Sequence, residues 1–175
     1  MNTHIQPVIT GKFKDTIRYK DGRVEVIEGQ NLIVDGIFKL ITSLLSNKGG
    51  YSGLQYWAVG EGLSSWNSSQ PPEPSVTDVQ LTKEIGRKQI NSTDVTWVDS
   101  EGRNSVTPTN KLKIKVTFGY NDCAGTWREF GLFGGNASIT ANSGMMINHK
   151  NHGIIVKTTE MEIEREIIFT FTKGE

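Results

Sequence analysis

Between Lys111 and Phe118 the chain alternates without a break. Leu112, Ile114, Val116 and Phe118 interleave with Lys111, Lys113, Lys115 and Thr117. A period of two places every second side chain on one side of an extended backbone, so this segment has one apolar and one wet face. The last run, Glu160 to Thr172, repeats the pattern: Met161, Ile163, Ile167, Phe169 and Phe171 share a phase with Arg165, and Glu162, Glu164 and Glu166 take the other. Half-buried strands of this kind need sheet neighbours and a second layer to cover their apolar side.

The rest of the chain supplies further short strands. Lys12 to Tyr19 alternates weakly, and Arg23 to Ile27 is β-branched. Asp21-Gly22 between them predicts a hairpin over 12–27 through a type I′ turn, whose two central residues need positive φ. Leu54 to Val59, Val79 to Ile90, Val95 to Val98, Thr126 to Phe133 and Ile154 to Val156 read as strands, with a turn at Glu101-Gly102. Ser138 to Gly153 reads as a loose segment around a Met145–Ile147 apolar patch. One stretch changes period. Ile37, Leu40, Ile41, Leu44 and Leu45 recur at helical spacing, which predicts a helix over 35–46 with Asp35 as N-cap and Gly49 as its stop. The prediction is a mainly β chain: an antiparallel β-sandwich or barrel-like domain with one packed α-helix. Its 175 residues suit a single domain spanning 1–175, with the hairpin and helix as an N-terminal extension.

Charge and composition narrow the function. Nineteen Lys+Arg balance nineteen Asp+Glu, which argues against a nucleic-acid partner, because phosphate binding needs a basic face. Low repulsion between copies suits a part of an assembly. No apolar run approaches the length of a membrane helix. The N-terminus carries neither a basic nor an apolar signal region, so synthesis in a bacterial cytoplasm is expected and the sequons at Asn67, Asn91 and Asn136 carry no meaning. Cys123 is the only cysteine, so no intrachain disulfide forms.

The catalytic inventory is thin. There is no nucleophile elbow, and Gly60-Glu61-Gly62 lacks the third glycine and the cation of a phosphate cradle. Of the three histidines, His4, His149 and His152, the last two form an H-x-x-H pair that is a weak metal candidate without further ligands. No cofactor is called for, and no enzyme activity is expected. Among the four tryptophans, Trp57, Trp97 and Trp127 lie inside strands and read as core or interface. Trp66 sits in the polar, proline-broken stretch Leu63–Asp78, a loop long enough to be functional or mobile. It is either an exposed contact for a partner or a lid folded back on the core.

Three segments in order are the most specific feature. They are Tyr56-Trp57-Ala58-Val59-Gly60-Glu61-Gly62, then Leu81-Thr82-Lys83-Glu84-Ile85-Gly86-Arg87, then Trp127-Arg128-Glu129-Phe130-Gly131-Leu132-Phe133-Gly134-Gly135. The arrangement resembles the baseplate-proximal N-terminal domain of phage tail-collar fibre proteins, from about Gln55 to Gly135. That resemblance implies a structural role, seating a fibre or tip on a tail, commonly as a homotrimer, in a virion or a phage-derived contractile particle. The chain ends at Glu175 without a shaft repeat, so a stand-alone adapter, baseplate or fibre-attachment subunit is expected. Its partners would be other tail, baseplate or fibre proteins and further copies of itself.

Within the matched strands, Arg128 and Glu129 are neighbours and should point to opposite faces. Glu129 is expected to pair with Arg87, with Glu84 nearby, and Arg128 to meet an acid or carbonyl on the other side or across a subunit boundary. Phe130 and Leu132 set against Phe133 suggest a strand covered on both faces. The run Phe130–Gly135, with Gly131 in it, suits close backbone approach, and Gly134-Gly135 permits a bend. The alternative function is a carbohydrate-binding β-sandwich that stacks sugars on exposed aromatics.

Overall fold

A computed structural model gives the fold and describes residues 7–173; His4 lies outside them. The elements run β1 (Pro7–Tyr19), β2 (Val24–Ile33), α1 (Gly36–Ser46), β3 (Ser52–Gly60), β4 (Glu84–Gln89), a 3-10 turn (Ser92–Asp94), β5 (Val95–Val98), β6 (Asn104–Ser105), β7 (Lys111–Phe118), β8 (Gly125–Gly135), β9 (Met145–Lys157) and β10 (Met161–Lys173). All ten strands join one antiparallel sheet in the order β4-β3-β8-β9-β2-β1-β10-β7-β5-β6. The mainly β class and the single helix are as predicted.

The sheet doubles over. Among the described residues its two halves pair along one short joint, where Leu32 and Ile33 of β2 meet His149 and Asn148 of β9 and the Val34 N–H donates to the Ile147 carbonyl. Beyond that joint the alternating apolar faces turn toward each other. Phe13, Ile17, Ile114, Val116, Ile163 and Ile167 from one half meet Trp57, Val59, Trp127, Phe130, Leu132 and Ile155 from the other. The Phe13 and Phe130 rings lie 5.2 Å apart, and Phe118 and Trp127 5.0 Å, both edge to face. This is sandwich packing. A second, smaller core lies on the outer side of β3, β8 and β9. There Ala58, Phe133 and Met146 are roofed by Leu81 and Ala137 from loops.

Local chemistry departs from expectation at several points. The hairpin turn is not type I′. Only Gly22 has positive φ (90°), Gly22 N–H donates to Tyr19 O, and Tyr19 N–H donates to Arg23 O. That is a type I turn closed by a glycine bulge, which needs one left-handed residue rather than two. Helix α1 ends at Asn47, whose φ of 50° is left-handed, two residues before Gly49, and Asp35 makes no side-chain cap. The helix docks as expected, with Ile37 and Leu40 buried. The strand expected over 79–90 shrinks to β4, because the backbone of Leu81–Lys83 is bonded to side chains instead of to a ladder. Conversely, the second half of the segment read as loose, Met145–Gly153, belongs to β9, while 138–144 is turn as expected. The lysine and glutamate stripes of β7 and β10 face one another with Lys115 opposite Glu166, and Lys115 bonds Glu164 at 3.3 Å.

Candidate functional site

The three recognised segments become the adjacent strands β4, β3 and β8 with their loops. At their outer side lies the long connection 61–83, and one side chain holds much of it. Glu129, wholly buried, accepts the backbone N–H of Gly62 (3.1 Å) and Lys83 (2.8 Å) on Oε1 and that of Thr82 (3.0 Å) on Oε2. Both ends of the loop are thus fastened by one carboxylate. Its Oε2 also lies 3.2 Å from Nε2 of His149, whose Nδ1 is 2.7 Å from Asp78 in the same loop. Burial alone would raise the Glu129 carboxyl. The hydrogen bonds from His149 and from the amides of Lys83 and Thr82 outweigh it and hold the group below the usual carboxylate range.

Gly60 is required by this arrangement. A β-carbon there would strike the Glu129 carboxylate and the carbonyl of Lys83. Further ties run from the strands to the loop: Arg128 to the Leu63 carbonyl (2.6 Å), and Asn151 to the Pro72 carbonyl (2.9 Å). The loop is therefore clamped rather than loose.

Two expectations about this site are corrected. Glu129 does not pair with Arg87. Arg87 forms a fork on Glu84, with Nε to Oε1 at 2.6 Å and Nη2 to Oε2 at 2.8 Å, and their side chains are almost fully covered. Its remaining Nη1 donates to the Ser138 carbonyl at 2.7 Å, and Glu84 accepts the Asn142 N–H at 2.7 Å. The pair thus staples the 138–143 turn. The guanidinium lies over the Phe133 ring at 4.8 Å, a cation–π contact. Nor do Arg128 and Glu129 serve opposite sides. The β8–β9 pairing is irregular between Trp127 and Glu129, where β9 runs four residues, Ile155 to Asn151, against two of β8, and both Arg128 and Glu129 reach loop 61–83.

The remaining candidates divide between the two cores. Trp57, Trp127 and Leu132 are fully buried inside the sandwich. Gly131 lets the backbone of Asn148 and the Met146 side chain approach. Trp66 is half-buried and lies against Gly62 of its own loop, where a side chain would strike its ring, and it joins neither hydrophobic core. His149 and His152 do not converge. Both nitrogens of His149 are taken by carboxylates, whereas His152 packs 5.9 Å from Phe130 and donates from Nδ1 to the Gly153 carbonyl. Among the described residues no group of three His, Cys, Asp or Glu is placed to hold a metal, and no helix is long and apolar enough to cross a membrane.

Sequence reasoning missed two buried groups. Arg165 and Asp15, 0% and 1% exposed, form a bidentate pair at 2.6 Å in the sandwich interior, the guanidinium 4.2 Å from the Phe130 ring centroid. The signal was present: both charges sit in the apolar phase of their strands. Lys157, also buried, donates to the carbonyls of Gly119, Tyr120 and Thr158. Burial lowers its ammonium from the ordinary value.

No family model matches the chain, and no curated protein matches it.

Proposed function

We propose that the protein is a non-enzymatic structural subunit of a phage tail or phage-derived contractile particle, docking as an adapter, baseplate or fibre-attachment piece. The observation that carries this reading is the clamped loop. The three segments that resemble tail-collar fibre domains are spatial neighbours, and the glutamate of the third fastens the loop that joins the first two. A long polar loop held in one shape by a buried carboxylate offers a preformed surface, so little ordering cost falls on association. The charge balance and the resemblance support further copies and other tail proteins as its partners.

The carbohydrate-binding reading draws less support. Trp57 and Trp127 are buried, Trp66 lies on Gly62, and Trp97 is 41% exposed elsewhere, on β5. A sugar platform needs several exposed rings side by side. Native mass spectrometry of the purified chain, alone and mixed with phage tail, baseplate and fibre proteins, tests the proposal. A defined complex with at least one of them is expected. A chain that binds none of them, yet binds a glycan array, would replace this reading with the carbohydrate one.

A further inference from the structure

Strand β2 has two sides and fills only one. Along β1 it pairs from Asn31 opposite Gly11 to Val24 opposite Arg18. On the other side only Leu32 and Ile33 meet β9, and no described strand pairs with Val24–Gln30. The Tyr19 N–H donates to the Arg23 carbonyl, and hydrogen-bonded positions alternate along an antiparallel ladder. Hence Glu25, Ile27, Gly29 and Asn31 exchange bonds with β1. Val24, Val26, Glu28 and Gln30 aim their N–H and C=O groups away from it. Leu32, next in that phase, is the residue that meets His149.

Sheet edges are normally blunted by shortness, charge, proline or a bulge. The ends of this sheet follow the rule: β6 is two residues long, and the six residues of β4 include Glu84, Arg87 and Lys88. The free stretch of β2 does not. It has no proline, its ladder with β1 runs without a shift, and Val24 and Val26 are 58% and 53% exposed. Its acids have exposed cations beside them within the chain, Lys14 at 3.5 Å from Glu28 and Arg23 at 3.6 Å from Glu25.

We propose that this edge is where a second copy of the chain adds, antiparallel, about a two-fold axis through Ile27. The outward-facing residues are symmetric about that position. Val24 would face Gln30 and Val26 would face Glu28, so every free N–H and C=O of the four finds a partner. A register centred on Val26 would strand Gln30. In the proposed register Glu25 lies opposite Gly29 and Ile27 opposite its own copy, so no like charges meet directly. The contact is isologous, as closed dimers require. It continues one sheet through both copies, and it does not depend on the tail-assembly reading.

The test uses the purified chain alone. Light scattering and native mass spectrometry over a concentration series should show a dimer. Val26→Pro removes one outward N–H and leaves the β1 ladder intact, and Val26→Lys places a charge on the edge. Each should halve the mass while a thermal melt still shows a folded protein. Register is tested in a Cys123→Ser background with oxidised glutathione. Ile27 faces its copy as a non-hydrogen-bonded pair, with a Cα spacing of about 4.5 Å that a disulfide can span. Ile27→Cys should cross-link nearly completely, and Glu28→Cys much more slowly. The proposal is overturned by a monomer at every concentration, by a dimer that survives both folded Val26 variants, or by equal cross-linking at the two positions. It is equally overturned if the edge takes up only a foreign strand.

Discussion

Glu129 is a carboxylate with no access to water, a placement tolerated only when hydrogen bonds replace hydration. Glu129→Gln keeps the shape and removes the charge, so the three amides and His149 lose an ionised acceptor. A loss of about 1–3 kcal/mol in urea denaturation is expected, with faster amide exchange at Gly62, Thr82 and Lys83. The acid response follows the same group. Its folded value is depressed, so its stabilisation is full above the ordinary carboxylate range and is lost as pH falls through the folded value. His152 acts in the same direction. Burial, then the nearby Arg165 cation, push it down to about 4. The unfolded chain therefore binds a proton that the fold refuses between about 6.5 and 4, and stability falls as pH drops across that window. His152→Phe should flatten the upper part of the urea-midpoint profile, and an unchanged slope between pH 6.5 and 5 would contradict the assignment. Glu129 was legible as a buried charge from its aromatic neighbours. Its partners were not, because the β8–β9 pairing is irregular between Trp127 and Glu129, and period-two reasoning cannot see such a break.

At the scale of elements, the strands with the purest alternation, β7 and β10, were legible nearly to the residue. Strand β9 was not. It holds Asn148, His149, Asn151 and Lys157 as buried residues and bulges twice against β8, so its pattern is neither alternating nor apolar. Polar residues that look like a loop are there because each serves the backbone of something else: Asn148 accepts the Leu132 N–H, and Asn151 holds Pro72. The Asp15–Arg165 pair links β1 to β10 through the core. Removing either partner alone, by Asp15→Leu or Arg165→Met, should cost about 3–5 kcal/mol, because the survivor is a buried unpaired charge. The double variant should recover most of that loss in the same melts. Helix α1 was read correctly in extent and wrongly in its stop, since asparagine can do at Asn47 what glycine was expected to do at Gly49. Asn47→Gly should leave stability within about 0.5 kcal/mol, and Asn47→Val should lower it by roughly 1 kcal/mol, measured by thermal unfolding.

At the scale of the whole molecule, a doubled sheet with a clamped loop on one outer face has two surfaces of different character. The loop face is polar, preformed and tied to the core through Glu129, Arg128 and Asn151. The β2 edge is extended backbone with half its hydrogen bonds unmade. The class of fold was readable because apolar periodicity and turn residues survive in sequence. The way the sheet folds onto itself was not, since it rests on the short joint between β2 and β9. The proposed function makes loop 61–83 the docking surface for tail, baseplate or fibre proteins. Hydrogen exchange followed by mass spectrometry, on the chain alone and in its native-mass-spectrometry complex with a tail, baseplate or fibre protein, tests it most directly. Slowed exchange across 61–83 is expected on assembly, with weaker complex formation by Glu129→Gln while β7 and β10 keep their protection. Unchanged exchange across that loop, with new protection confined to other faces, would contradict it.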